Sequence, residues 1–185
     1  TADLPDADTI TLYGDITEDK ASDVVSGLLF LEKNIAHRNA SSEDEVSKNI
    51  EMFISTHGGS AAEMFSILDV MESIKFKGCR IKTLGIGKVM SAGVPILAAG
   101  TPGERYIGKN CRVMLHSVTS GSVGTIFNME NELKEIKWIQ DRYIECLASY
   151  TKMSKSKIKK LFKSQKDIYI SSKQAIKLGI ADKIL

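Results

Sequence analysis

Two glycine-bearing turns, each set between an apolar strand and a helix, constrain this chain more than any other feature. Ile50 to Ser55 reads as a buried strand running into Thr56-His57-Gly58-Gly59-Ser60. The helix that follows has Ala61, Met64, Phe65, Leu68 and Met71 on its inner face. Cys79 to Gly85 reads as the next strand, with Ile81 and Leu84 inward. It leads into Gly87-Lys88-Val89-Met90-Ser91-Ala92-Gly93-Val94-Pro95-Ile96-Leu97-Ala98-Ala99-Gly100, a strand end, a tight turn tipped by Ser91 and a buried helix. Strand, helix, strand, helix at this spacing predicts right-handed crossovers and a parallel sheet. Both turns then lie at the carboxyl ends of adjacent strands, where open α/β sheets place their sites.

Each turn admits two readings. Gly58-Gly59 is either a nest of backbone N–H groups for a phosphate or oxyanion, or a tight βα turn. Ser91 is either a nucleophile among small neighbours, or a helix N-cap. Only half of a G-x-S-x-G elbow is present, since Val89 stands at the first glycine position. Gly85-Ile86-Gly87-Lys88 is no P-loop, because Lys82 replaces the first glycine and Val89 the Ser/Thr. No ATP site is expected.

Around these units, Thr9 to Tyr13 alternates as a short strand behind a polar arm over 1–8. Thr17 caps a helix expected to run to about Lys33, and His37 to Lys48 reads as a surface loop. Arg105 to Ile107 and Arg112 to Leu115 are short strands, the second ending at His116, followed by a Ser/Gly-rich piece to Gly124. A long helix is expected from Thr125 to Tyr150, with Ile126, Met129, Leu133, Ile136, Tyr143 and Leu147 in a stripe that Gln140 interrupts. At about 1.5 Å per residue it spans roughly 37 Å. It either protrudes to meet another subunit or covers the core. A basic helix over Met153 to Phe162, a loop and strand over Gln165 to Ile170, a helix ending at Gly179 and a tail complete the chain.

With 185 residues and a net charge of +2, one domain without a strong nucleic-acid or membrane field is expected. The Lys-rich run Lys152 to Lys166 reads as a solvated face. Neither a membrane span nor signal-peptide character is found. Cys79, Cys111 and Cys146 form no metal-ligand spacing, so no metal is expected and a reducing compartment is favoured.

A serine hydrolase needs a base within reach of the hydroxyl and an acid to hold the base. His116 is the preferred base and His57, beside the glycine pair, its rival. Asp167 is the preferred acid, ahead of Asp141 and Asp182.

Ile54 to Ser60, Gly87 to Gly100, Arg112 to His116 and Lys166-Asp167-Ile168-Tyr169-Ile170-Ser171 resemble the ClpP family, the proteolytic subunit of the Clp protease. So does Gln174 to Ile184, and the resemblance runs from Thr9 onward in the same order and spacing. It implies an α/β, ClpP/crotonase-like fold of repeated ββα units. The head would comprise 1–116 and 151–185, with a protruding handle over 117–150. It implies Ser91 as nucleophile, His116 as base and Asp167 as the residue that orients it. The N–H groups of Gly59 and Ala92 would form the oxyanion hole, and Gly121, Ser122, Val123 and Gly124 would line the substrate groove. No cofactor is implied. The implied assembly is two stacked seven-membered rings, of one subunit or two, fed unfolded polypeptide by an AAA+ unfoldase. A cytoplasmic setting is implied, in a host cell for a phage protein, or a plastid stroma.

Departures accompany the resemblance. The family's Ser-Pro-Gly-Gly is Thr56-His57-Gly58-Gly59, the Met beside the nucleophile is Ala92, and the Arg that follows the catalytic Asp is Ile168. Loss of that Arg removes the usual inter-ring ion pair, so weaker ring–ring association is expected. The segment that forms axial loops is short or absent before Thr9. These are features of a divergent phage, plastid or cyanobacterial-type member. Two alternatives remain at this stage, a catalytically silent ring subunit and a crotonase-fold acyl-CoA hydratase. The latter usually works through carboxylates, so a nucleophilic Ser with a His after the next strands would be superfluous in it.

Overall fold

The computed structural model describes residues 8–41, 49–163 and 166–185. The expectations for the arm before Asp8, for 42–48 and for Gln165 lie outside the described residues.

The strands form one sheet whose main path is parallel. Strand β1 (Thr9–Tyr13) pairs with β2 (Asn49–Thr56), and β2 pairs with β3 (Arg80–Met90). β4 (Arg105–Ile107) then joins β3, and β7 (Lys183–Ile184) closes the path beyond β4. Alternation sets which face is inside. Ile50, Met52 and Ile54 of β2 are all fully buried, as is Leu12 of β1.

Helix α1 (Glu18–Ser41) starts with Glu18 and Asp19 on its positive end and buries Ala21, Val24 and Leu28. It extends past the expected Lys33, which corrects the loop expected from His37. Ile35 is buried one turn further, and Arg38 pairs with Asp8 beside β1. Those two anchors hold a segment whose exposed face is polar enough to read as loop. His37 lies on the exposed side. Helix α2 (Ala61–Phe76) is capped by Ser60, whose hydroxyl accepts from the Glu63 N–H, and buries Met64, Ile67, Leu68, Met71 and Ile74.

β3 is longer than expected, and this correction matters for the site. It pairs regularly with β2 up to Gly85, but the next pair is Thr56 with Val89, so β3 carries extra residues there. Gly87 sits at φ +63 in this bulge. Beyond it, Lys88–Met90 pairs in parallel with Arg112–Met114 of β5 (Arg112–Leu115). β6 (Ile168–Ile170) pairs with β5 antiparallel.

Helix α3 (Gly93–Ala98) is only six residues long and entirely buried. Helix α4 (Ile126–Tyr150) begins at an N-cap Thr125 and buries Tyr143, Ile144 and Leu147 near its end. Its first half is exposed, including Ile126, Met129 and Leu133. The expected stripe therefore divides: the last turns cover the core, and the first half is uncovered within the chain. Helix α5 (Lys155–Phe162) turns Ile158 and Phe162 inward, while Lys155 and Lys159 pair with Glu145 and Asp141 of α4. Helix α6 (Ser172–Leu178) carries a capping box at Ser171 and Gln174 and stops at Gly179, φ +78.

One ion pair fastens the C-terminal segment to the sheet. Arg105, 8% exposed, donates through Nε and Nη2 to both oxygens of Asp182 at 2.9 and 2.6 Å. Its Nη1 donates to the carbonyls of Ala98 and Tyr150. Asp182, considered for the triad, is thus committed to structure. Arg105 is the main cause that holds its carboxyl below the usual carboxylate range. The folded pKa lies below the unfolded value of about 3.9. The stabilisation is therefore complete above that value and is lost as pH falls through the folded pKa. Asp182→Asn is expected to cost about 1–3 kcal/mol at neutral pH, below the ~3–5 kcal/mol of a fully buried broken pair. Urea unfolding between pH 7 and 3 should show a smaller loss of stability on acidification for the variant than for the parent.

Candidate active site

The expected nucleophile stands where β3 ends. Ser91 has φ +51 and is the non-glycine residue with positive φ among those described. A left-handed residue other than glycine costs of order 1–2 kcal/mol, so its surroundings must hold it there. They do so from three elements. The Ser91 N–H donates to the Met114 carbonyl of β5 at 2.9 Å. The Ser91 carbonyl accepts from the Val94 N–H at 3.0 Å and from the Tyr143 hydroxyl of α4 at 3.1 Å.

Sheet register then brings up the expected base and acid. β5 lies beside the end of β3, and His116 follows β5 directly, so its Nε2 comes to 2.7 Å from Ser91 Oγ. Leu115 of β5 pairs with Ile168 of β6, and in an antiparallel ladder the next pair is His116 and Asp167. Asp167 Oδ1 lies 4.0 Å from His116 Nδ1, with 54% of its side chain exposed. That distance exceeds a hydrogen bond, so Asp167 faces the ring without gripping it. His57, the rival base, is exposed, with Nδ1 3.9 Å from Asp15. Asp141 pairs with Lys159 on α5.

The two glycine turns are pressed together behind the hydroxyl. A Cβ on Gly58 (φ +102) would lie 2.6 Å from Ser91 Cβ and 2.9 Å from the Met90 carbonyl oxygen. A Cβ on Gly93 would lie 2.4 Å from Thr56 Cγ2. The Thr56 hydroxyl accepts from the Gly58 N–H at 2.9 Å, which stiffens a turn that has no proline. Gly58 C=O and Ser60 N–H are both bonded to Ile16, so the intervening Gly59 N–H faces away from Ile16, and Gly59 lines the cleft. Among the described residues, neither the Gly59 nor the Ala92 N–H has an acceptor. Free backbone donors beside a serine can stabilise a developing oxyanion.

A cleft of about 400 Å³ opens over Ser91 and His116. Met64, Ile136, Ile139 and Tyr143 supply its apolar wall, and Ser117 to Ser120 its rim. The rim is fixed by Gln140, whose Oε1 accepts from the Val118 N–H at 2.6 Å. Residues 116–125 carry no strand, so Gly121, Ser122, Val123 and Gly124 form an open segment before α4. Sequence reasoning missed Tyr143, Gln140 and Thr56 as parts of the site. Gln140 did leave a signal, as the polar break in the α4 stripe.

Among the described residues, no group of three His, Cys, Asp or Glu side chains could hold a metal ion, and no helix is long and apolar enough to cross a membrane. Among the described residues no disulfide joins Cys79, Cys111 or Cys146, and burial pushes the Cys111 thiol up to about 11.

The family model described as Clp protease matches residues 1–185. The chain is similar to the "ATP-dependent Clp protease proteolytic subunit 2" of Chlamydia trachomatis serovar D, with 34% identity over 179 residues, covering 96% of this chain and 81% of the relative. The subunit of the same name from Chlamydia muridarum is 33% identical over the same shares.

The crowding at Gly58 has a direct consequence. Gly58→Ala is expected to cost roughly 2–3 kcal/mol, from positive-φ strain and overpacking against Ser91. A lowered urea midpoint with an unchanged m-value would register it.

Proposed function

This chain belongs to the Clp protease family, with its ClpP/crotonase-like α/β fold, and on that premise we propose that it is a serine endopeptidase subunit. The observation that carries the reading is the 2.7 Å hydrogen bond between Ser91 Oγ and His116 Nε2, at the mouth of a cleft. Ser91 is the nucleophile and His116 the general base. As Ser91 Oγ attacks a peptide carbonyl, its proton moves to Nε2, and the carbonyl oxygen becomes an oxyanion. The free Gly59 and Ala92 N–H groups receive that oxyanion. His116 returns the proton to the leaving amine, and water then hydrolyses the acyl-enzyme by the same route in reverse.

Asp167 orients His116 and favours the imidazolium that forms during attack. Closure of the 4.0 Å gap to Nδ1 completes the alignment when substrate is bound. The segment Gly121 to Gly124 pairs with the substrate backbone. The apolar wall at Met64, Ile136 and Ile139 receives a side chain next to the cleaved bond, so apolar residues are favoured there.

The exposed half of α4 supports the assembly reading. Ile126, Met129 and Leu133 are 74%, 44% and 50% exposed, on one face of one helix. In our proposal 117–150 is the handle that packs against its counterpart in a second heptameric ring, of this subunit alone or with a second ClpP-like one. The chamber so formed receives unfolded polypeptide from an AAA+ unfoldase. Ile168 pairs with Leu115 within the subunit, so ring stacking rests on the apolar handle more than on an ion pair at that position.

Two experiments test this reading. A fluorophosphonate should label the assembled protein on Ser91, and Ser91→Ala should abolish both labelling and peptide hydrolysis. Asp167→Asn should retain assembly yet lower turnover by roughly 10²-fold or more, short of the ~10⁴-fold seen where such an acid is tightly bonded. Absence of labelling on an assembled oligomer would overturn the nucleophile assignment. Separately, Leu133→Glu should shift sedimentation from a double ring to a smaller species; an unchanged profile would remove the handle from the interface.

A further inference from the structure

Tyr143 is the one residue of α4 that reaches the nucleophile turn by hydrogen bond, and the bond goes to an informative atom. Its hydroxyl donates to the carbonyl oxygen of Ser91 at 3.1 Å. That carbonyl belongs to the peptide unit whose N–H is that of Ala92. A trans peptide is planar, with C=O and N–H pointing in opposite directions. Whatever fixes the Ser91 carbonyl therefore also aims the Ala92 N–H, and a hydrogen bond to the oxygen polarises the N–H on the other side.

Alternative anchors for this peptide are few. The Val94 N–H is the other donor to the same oxygen, and it comes from the turn itself. Ser91 is held at φ +51, where relaxation would rotate this peptide unit. Tyr143 supplies a restraint from outside the turn. It is 4% exposed, and its ring is stacked on Phe162 of α5 with a centroid distance of 5.7 Å and an interplanar angle of 9°. The hydroxyl is thus delivered by a rigid ring on a rigid helix.

We propose that Tyr143 is a positioning residue for the oxyanion hole: its hydroxyl, bonded to the Ser91 carbonyl, sets the direction of the Ala92 N–H. It touches neither the nucleophile oxygen nor the migrating proton. Its contribution appears where charge develops on the substrate oxygen, so it acts on the transition state and not on ground-state binding. The proposal rests on the reading of Ser91 as nucleophile and Ala92 as an oxyanion donor.

The experiment compares the assembled wild-type protein with Tyr143→Phe, using a fluorogenic short peptide, a peptide aldehyde that forms a tetrahedral adduct, and the fluorophosphonate. Tyr143→Phe should lower kcat about five- to tenfold, the scale of one buried neutral hydrogen bond, with KM unchanged. Aldehyde affinity should fall by the same factor as kcat/KM, which a purely structural role would not produce. Tyr143→4-aminophenylalanine keeps a donor at the same place and should recover most of the rate. The apolar Tyr143→4-fluorophenylalanine fills the same space and should not, which also covers the case in which the phenylalanine variant is unstable.

Unchanged kcat in labelled, assembled Tyr143→Phe would overturn the proposal and leave the nucleophile intact. A raised KM with kcat unchanged would also overturn it, and make Tyr143 only a wall of the cleft. Failure of the wild-type protein to label on Ser91 would overturn the nucleophile reading first, and this proposal with it.

Discussion

Strand β5 is only four residues long, yet the site exists because that strand is paired on both sides. Its parallel ladder with β3 brings the Met114 carbonyl to the Ser91 N–H, and so seats Ser91. Its antiparallel ladder with β6 runs Leu115 against Ile168, which leaves His116 and Asp167 as neighbours just beyond the last pair. A slip of one residue in either ladder would turn the side chains to the opposite face. Buried Val113 and Leu115 resist that slip, because it would turn the exposed Arg112 inward in their place. The mutual geometry of Ser91, His116 and Asp167 thus follows from the packing of apolar side chains.

Small residues serve a second constraint. The Thr56–Ser60 turn and the Met90–Gly93 turn touch, and neither has room for a Cβ at Gly58 or Gly93. That closeness brings Gly59 and Ala92, from two different turns, to the lining of one cleft. It also explains how a six-residue helix can persist. α3 is far too short to be stable alone, and it is held by complete burial of Val94, Ile96 and Leu97. Helix α4 completes the enclosure. Its last turns are core, its middle sets the cleft wall and the Val118 rim, and its first turns remain uncovered within one chain.

Much of this was legible from local pattern. The βα units and the ends of β4, β5 and α4 followed from period and punctuation, whereas the residues alone left His57 beside His116 as a candidate base. Local pattern failed where a distant partner decided the outcome. α1 continues past Lys33 because Ile35 is buried and Arg38 meets Asp8, a residue on the far side of β1 in sequence. β3 continues past Gly85 because β5 offers it a second partner beyond the bulge. Asp182 resembled a catalytic candidate until Arg105 claimed both its oxygens. Tyr143 read as one more apolar position in a stripe, since nothing in its neighbours shows where a phenol hydroxyl will end.

While the choice of Ser91, His116 and Asp167 came from a family resemblance, the sequence by itself determined the parallel α/β layout and the small-residue turns at two strand ends. These depend on short-range rules of periodicity, turn sterics and residue chemistry, which act within a few residues of chain. Only the tertiary structure decided that Ser91 takes a left-handed backbone, that His116 and not His57 reaches it, and that Asp167 stands 4.0 Å from the ring. It alone revealed that α4 supports the Ser91 turn through Tyr143 and the cleft rim through Gln140. Those facts are distances between segments far apart in sequence. They are set by strand register and close packing of the core, which no local pattern encodes.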